Sequence, residues 1–263
     1  MVPFQNTRAN DKGVSEAIGF MLIFGIVIAG IGLVTLYGYP LLIQQQVGAD
    51  EKIIEKNMIV LQNDLKSLAY KTVPFKETSL KIGGGSLTVY NSSYTPSTFK
   101  IDITDQAGVT YLSNPFQSGD LRYESVSAET DISLQNGAVV MRPRIGQGST
   151  MLAEPRWFYD GKTQTMVINL VNITSKDLMA KEGIGTVQMI LGDTNYTYVS
   201  ISPASNPVKV KYTPDPLQDY SVAWDNYFTK TLGMVPDGSP GIYRLPNVKT
   251  LVIKKYEVQI KNI

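Results

Sequence analysis

The N-terminal quarter of the chain contains one uniformly apolar stretch. Residues 17–39 carry no charged side chain, and as an α-helix they extend about 35 Å, against roughly 30 Å for the hydrocarbon core of a bilayer. A secretory signal has a shorter apolar core that ends at a small-residue cleavage site, whereas this stretch continues into LYGYPLLIQQQ. The pattern therefore predicts a transmembrane helix over residues 17–39.

The next stretch, residues 47–72, is apolar only on one side. Its apolar positions recur at alternating steps of four and three, as in an amphipathic helix, and are Ile54, Met58, Leu61, Leu65 and Leu68. Because this stripe lasts only about two to three heptads, packing on a globular domain is favoured over a separate coiled-coil dimer. Pro40 offers no N–H to the carbonyl of Leu36, so a kink is expected between the two halves.

From residue 77 onward, short runs alternate between apolar and polar residues, as half-buried strands do. Asn136-Gly137 lies between two such runs and signals a two-residue hairpin turn, and GDTN at residues 192–195 predicts a second hairpin. No strand–helix–strand units are evident. The predicted fold class is therefore α+β, with a long N-terminal helix packed on an antiparallel β-sandwich-like head of residues 77–263.

One helical insertion is predicted in the head. Tyr220, Trp224, Tyr227 and Phe228 have helical spacing, and Gly233 provides a stop. The aromatic stripe is either a ligand surface or a packing surface against the sheet, and packing is favoured. The Pro- and Gly-rich stretch of residues 233–247 is predicted to be a loop.

Composition narrows the function classes. The 263-residue chain has a formal net charge of +1, which argues against nucleic acid as a partner. It has no cysteine and no histidine, which excludes disulfides, thiolate metal sites and Ser-His-Asp catalysis. We therefore expect no enzymatic activity, no metal and no cofactor.

Three short motifs are candidates for a phosphate-, calcium- or ligand-binding site. The triple glycine of residues 83–85 lacks the following helix and the lysine of a phosphate loop, and it predicts either a strand bulge or a turn. Asp102 and Asp105 lack calcium-loop spacing and are expected on a strand face and in a turn. The charges around Trp157, contributed by Glu154, Arg156 and Asp160, are expected to form a surface ion-pair cluster.

Charge asymmetry predicts the membrane topology. Arg8 and Lys12 precede the apolar stretch, and no charge follows it until Asp50, which places the N-terminus in the cytoplasm and the head outside. Three sequons lie on the outer side and are candidate N-glycosylation sites, although chance matches are the alternative; they begin at Asn91, Asn172 and Asn195. Asn195 falls at the tip of the second predicted hairpin.

Small residues interrupt the apolar stretch. Gly25 and Ala29 form a small-xxx-small pair, which permits close helix–helix approach in an apolar medium. Glycine is also common in membrane helices generally. Both explanations remain open for this stretch.

The residues DKGVSEAIGFMLIFGIVIAGIGLV resemble the N-terminus of archaeal type IV pilin-like proteins with class III signal peptides. The resemblance implies that residues 1–13 form a leader, which a prepilin-type signal peptidase removes after Lys12 and Gly13. Val14 then becomes the N-terminus, and the helix of residues 14–72 stays in the mature protein. SLKIGGGSLTVY, VINLVNIT and YSVAWDNYF further resemble segments of an archaeal family of uncharacterised pilin-like surface proteins.

The resemblance implies a membrane-anchored cell-surface protein that is a structural or minor subunit of an archaeal type IV pilus-like filament, acting in adhesion or surface contact. Its partners would be itself or other pilin subunits. Glu16 lies closer to the new N-terminus than the assembly glutamate of bacterial pilins, so assembly and simple stabilisation of a helix N-terminus both stay open. The alternative function is a single-pass anchored extracellular β-domain that binds a surface ligand and does not polymerise.

Overall fold

The computed structural model describes residues 11–71, 73–93, 97–104, 110–111, 115–126, 128–146, 148–201 and 207–263, and it describes the backbone alone for residues 11–15, 100–104 and 110–111. Residues 1–10 of the predicted leader and the turn predicted at Asp105 lie outside the described residues. The chain divides into two compact units, Met1–Ala49 and Asp50–Ile263.

Helix dominates the N-terminal region. Its elements are α1 (Asp11–Leu33), a π-helical turn (Val34–Gly38) and α2 (Tyr39–Lys71). Pro40 has no N–H for the carbonyl of Leu36, and the backbone N–H of Tyr39 bonds to the carbonyl of Val34, one residue further back than in an α-helix. A π-helical turn therefore lies just before Pro40, at the place where the sequence predicts a kink, and the kink itself stays a prediction.

Strands follow α2 in the second unit. They are β1 (Phe75–Tyr90), β2 (Thr98–Thr104), β3 (Thr110–Tyr111), β4 (Phe116–Gln117), β5 (Asp120–Ser125), β6 (Thr130–Gln135), β7 (Ala138–Pro143), β8 (Thr150–Ala153), β9 (Phe158–Asp160), β10 (Thr165–Ser175), β11 (Met179–Ser200), β12 (Val208–Thr213), β13 (Val235–Pro236), β14 (Ile242–Leu245) and β15 (Thr250–Asn262). A short helix, α3 (Ser221–Asn226), continues into a π-helical turn, Tyr227–Thr231. The fold class is α+β, as the sequence predicts.

Two sheets make up the β part. The nine-stranded sheet has the order β8-β7-β6-β5-β1-β11-β15-β10-β9, and the six-stranded sheet has the order β13-β14-β12-β2-β3 with β4 beside β2. The pairs are antiparallel except β10–β15, which is parallel. The head is therefore mostly antiparallel and sandwich-like, as the sequence predicts, and it contains one parallel pair. The long connection between these strands contains β11 to β14 and α3, and such a crossover is what parallel pairing requires.

The amphipathic stripe of α2 is buried in the second unit. Its five predicted members are at most 1 % exposed, and they pack with apolar residues from β1, β5, β6, β7, β10, β11 and β15. A helix face of this kind contributes roughly 25 cal/mol per Å² of apolar surface removed from water. Packing on the head is confirmed, and the stripe is not left for a separate coiled coil.

Polar side chains tie α2 to the ends of the large sheet. The buried amide of Gln62 donates to the carbonyls of Gly137 (2.7 Å) and Glu154 (2.9 Å).

The predicted hairpin at Asn136-Gly137 has its own contact to the same sheet. The side-chain oxygen of Asn136 accepts a hydrogen bond from the backbone N–H of Val171 (3.0 Å). Asn136 and Gly137 have φ values of 46° and 75° and join β6 to β7, so the predicted two-residue hairpin is confirmed.

The prediction of a second hairpin, with its turn at residues 192–195, is wrong. Residues 179–200 form one strand, β11, in which Thr194 and Asn195 pair with Tyr256 and Lys255 of β15. The register shifts between Leu191 and Thr194, so Gly192 and Asp193 form a bulge rather than a turn. Gly and Asp are typical of both structures, and the local pattern does not separate them.

The opposite face of the nine-stranded sheet holds a second core, shared with the six-stranded sheet and α3. The aromatic residues predicted to be helical, Tyr220, Trp224, Tyr227 and Phe228, are all buried there. Packing, rather than ligand binding, is thus confirmed for this stripe. Gly233 follows the π-helical turn with φ of 68°, as expected of a helix stop.

The two glycine-rich stretches differ in outcome. In β1, the register shifts between Ile82 and Ser86, and a Cβ on Gly85 would lie 2.3 Å from the carbonyl oxygen of Glu124. The predicted strand bulge over residues 83–85 is therefore confirmed. The predicted loop over residues 233–247 is wrong in part, because β13 and β14 lie in it and pair with each other.

Candidate functional site

The apolar half of the N-terminal helix presents its side chains to the outside of the unit. The stretch from Glu16 contains a window of mean hydropathy 2.7 with none of its residues buried, which is long and apolar enough to cross a membrane. Phe20 and Phe24, for example, are 70 % and 56 % exposed. Large apolar side chains left open along a whole helix need an apolar surrounding.

Gly25 and Ala29 lie on this exposed helix. A Cβ added at Gly25 would meet nothing within 4 Å, and the same holds for Gly19, Gly30 and Gly32. Contacts inside the described chain therefore do not require these glycines. Gly25 and Ala29, four residues apart, leave a narrow stretch of helix surface on which another helix can pack closely.

The predicted processing residues lie at the start of α1. Lys12, Gly13 and Val14 are helical, and Glu16 is exposed. The described part of α1 begins at Asp11, so Glu16 lies beyond the first turn, where the helix dipole is weak. Cleavage after Gly13 would move Glu16 into the first turn of the shortened helix, where a carboxylate is favoured.

The three sequons lie in different surroundings. The side-chain amide of Asn91 donates to the carbonyl of Ser175 (2.9 Å), and this asparagine is half-buried. Asn172 is half-buried on β10, and its side-chain oxygen has no hydrogen-bond partner in the described part of the chain. Asn195 is exposed within β11 and not at a hairpin tip. Glycosylation stays a prediction at each of them.

The ion-pair cluster predicted around Trp157 is not formed. Trp157 is buried and donates to the carbonyl of Asn169 (2.6 Å). The carboxylate of Glu154 accepts from the hydroxyl of Thr231 (2.8 Å). Asp160 accepts from the hydroxyl of Thr163 (2.7 Å) and from the backbone N–H of Lys162 (3.0 Å), which hold its pKa below the usual range.

Arg156 instead borders a concave surface that the sequence did not reveal. Two adjoining depressions, of about 760 Å³ and about 450 Å³, share Tyr70 and Arg156. We call them together the basic cleft, because four of the residues that line it are cations: Lys66, Lys71, Arg156 and Lys254. The remaining lining residues used below are Asn63, Ser67, Tyr70, Glu154, Phe158 and Tyr256.

The basic cleft has an ordered aromatic centre. The Arg156 guanidinium carbon lies 4.9 Å from the centroid of the Tyr70 ring, a cation–π arrangement. Tyr70 in turn meets the ring of Tyr256 edge-on, with centroids 5.3 Å apart. The residues come from α2, β9, β15 and the β8–β9 connection, so no single sequence motif contains them.

A buried charge network was also missed by sequence reasoning. In β5, Asp120 accepts two hydrogen bonds from the guanidinium of Arg122, at 3.0 and 2.8 Å, and one from the hydroxyl of Ser133 at 2.9 Å. Neither charged side chain is more than 8 % exposed. An aspartate and an arginine two residues apart on a strand are commonly exposed to solvent. Here it is the tertiary fold that buries them, so the local sequence does not reveal the pair.

Comparison with known proteins gives one match. A family model described as a family of unknown function (DUF7289) matches residues 12–261. Searches of curated proteins and of solved structures gave no match.

Proposed function

The chain belongs to the DUF7289 family of unknown function, and from its residues we propose that it is a pilin-like, membrane-anchored cell-surface protein. It acts as a structural or minor subunit of an archaeal type IV pilus-like filament, in adhesion or surface contact. The N-terminus lies in the cytoplasm before processing, and the β-rich head lies outside, where Asn91, Asn172 and Asn195 are candidate N-glycosylation sites.

One observation carries this proposal. Residues 16–43 of the helical region expose an almost continuous apolar surface, whereas Ile54 to Leu68 bury theirs in the head. The two halves of the helical region therefore have different roles in this proposal. The first half is available to a membrane or to neighbouring helices, and the second half packs in the head. The resemblance of residues 11–34 to prepilin N-termini agrees with these two roles, because the apolar helix of a prepilin stays in the mature protein.

The absence of histidine and cysteine from the sequence supports a non-catalytic role. General acid–base chemistry would have to rely on carboxylates, lysines or tyrosines. The buried carboxylate Asp120 is bonded to Arg122 and Ser133, which suits a structural role.

The mature N-terminus tests the processing step. Mass spectrometry of the chain from its native membranes should find Val14 as the first residue, with the leader of residues 1–13 removed. Lys12→Asp combined with Gly13→Asp should abolish this cut, because the peptidase would lose the cation and the small residue before the scissile bond. An intact N-terminus in the unaltered chain would contradict the pilin proposal.

A matched variant separates peptidase recognition from a general effect of leader charge. Arg8→Asp makes the same charge change as Lys12→Asp but leaves Lys12 and Gly13 in place. We expect normal processing of this variant. Equal loss of processing in Arg8→Asp would show that the positive charge of the leader controls its membrane orientation, and that the loss does not identify the cleavage site.

The second candidate function is an anchored ectodomain that binds a surface ligand without polymerising. The basic cleft favours it, because each of its two depressions has a volume within the roughly 300–1,000 Å³ of small-molecule sites. Shearing of cells distinguishes the two. A filament subunit should appear in the sheared fraction, whereas an anchored ectodomain should stay with the membranes.

A further inference from the structure

The cations of the basic cleft lack carboxylate partners. In the part of the chain that the structure describes, no carboxylate lies within 4.0 Å of Lys66, Lys71, Arg156 or Lys254. The other described arginines do lie within that distance of a carboxylate; they are Arg122, Arg142, Arg144 and Arg244. Arg156 is thus the exception among them, and it lies in a concave surface.

Arg156 is exposed, its guanidinium has a fixed aromatic neighbour, and its N–H groups donate to no other described residue. It lies over the ring of Tyr70, and Tyr70 is itself fixed by its edge-on contact with Tyr256. Among the described residues, none accepts a hydrogen bond from this side chain. A planar fork of N–H groups that is already oriented suits a carboxylate or phosphate, because little conformational entropy is lost when it binds.

Lys66 places a second cation beside Arg156. Its ammonium group donates to the carbonyl of Glu154 (3.1 Å), and burial together with the nearby Arg156 lowers its pKa. The carboxylate of Glu154 raises that pKa only in part and is already bonded to Thr231. The two neighbouring cations repel each other, the carboxylate of Glu154 offsets this only in part, and a bound anion would reduce the remaining cost.

Apolar and polar groups flank the two cations. Phe158 is 47 % exposed at one side of the basic cleft, and Asn63 and Ser67 line the other depression. A sugar ring presents C–H groups on its faces, which match the exposed aromatic ring in one depression, and hydroxyl groups at its edge, which match the polar side chains in the other. A carboxylate on that ring supplies the missing negative charge.

We propose that the basic cleft binds a sugar acid, with its carboxylate between Arg156 and Lys66 and its ring against Phe158. The ligand class is a monosaccharide unit that bears a carboxylate, free or within an acidic surface polysaccharide. This assignment does not rest on the filament proposal, since it concerns only residues of the second unit, Asp50–Ile263. Loss of processing or of filament incorporation would leave it standing.

Calorimetric titration of the purified full chain in detergent tests the assignment. D-glucuronate should bind, and D-glucose, which lacks the carboxylate, should bind at least about tenfold more weakly. A trisaccharide that carries glucuronate at its end tests the polysaccharide source, and binding equal to or tighter than that of the monosaccharide supports it. Equal binding of glucose and glucuronate, or no heat with either, would overturn the proposal.

Inorganic phosphate serves as the anion without a ring. Phosphate should bind more weakly than glucuronate, because it makes no contact with Phe158. Phosphate that binds as tightly as glucuronate would refute the sugar part of the proposal. Phe158→Ala should reduce glucuronate binding and leave phosphate binding unchanged.

Substitutions within the basic cleft identify the residues. Arg156→Gln and Lys66→Gln should each weaken glucuronate binding by about tenfold, and Arg156→Lys should recover part of the loss. Arg244→Gln, which removes a surface guanidinium paired with Asp237 (3.7 Å), is the matched control and should bind as the unaltered chain does. Unchanged affinity in both Arg156→Gln and Lys66→Gln would exclude the site, and a thermal unfolding curve for each variant excludes loss of fold as the cause.

Discussion

Asp120 and Arg122 show how single residues depend on each other inside the head. Both side chains are buried, and Asp120 is bonded to the arginine and to Ser133. Burial raises the pKa of Asp120, and the adjacent guanidinium opposes that rise. Each member of the pair therefore tolerates burial only because the other is present.

We expect Asp120→Ala to destabilise the protein by about 3–5 kcal/mol, because it leaves the charge of Arg122 buried without a partner. Replacement of both members, by Asp120→Leu with Arg122→Met, should recover most of that loss. Denaturant unfolding of the full chain in detergent measures the difference. A double variant no more stable than Asp120→Ala would show that the pair acts through its other hydrogen bonds and not through the unpaired charge.

Element by element, the accuracy of the sequence prediction follows the range of the interactions. The stripe of α2 and the Asn136-Gly137 hairpin were predictable, because helical periodicity and two positive φ angles are local properties. At Gly192 the local sequence predicts a hairpin turn where the structure has a β-bulge, because turns and bulges both favour Gly and Asp. The parallel β10–β15 pair joins strands far apart in sequence, which no local pattern specifies.

The buried face of α2 gives a prediction at the scale of one element. Leu61 is fully buried, and Val60, the preceding residue, is 46 % exposed. Leu61→Ala should lower the free energy of unfolding by about 2–5 kcal/mol, because it leaves a cavity against the nine-stranded sheet. Val60→Ala is the control, and thermal unfolding of the full chain should move it far less. Equal effects of the two changes would contradict the assignment of the buried face.

At the scale of the whole molecule, the basic cleft shows why the candidate site could not be foreseen. Its residues come from positions 63–71, 154–158, 167–169 and 252–256, whereas the sequence pattern groups Arg156 with its chain neighbours Glu154 and Asp160. The fold instead sets Arg156 on Tyr70. The presence of one long apolar helix, by contrast, was predictable, because hydropathy and length are properties of one continuous stretch.

The division of the chain at residues 49 and 50 supplies a prediction for the molecule as a whole. The unit Asp50–Ile263 contains both apolar cores, and the exposed apolar helix belongs to the other unit. A chain of residues 50–263 should therefore stay folded and monodisperse without detergent, whereas the full chain should remain with membranes after an alkaline carbonate wash. Light scattering and circular dichroism of the shortened chain, with fractionation of the full chain, measure this. Aggregation of residues 50–263 would mean that the head needs residues 11–49 to fold, and carbonate release of the full chain would mean that its apolar helix does not anchor it.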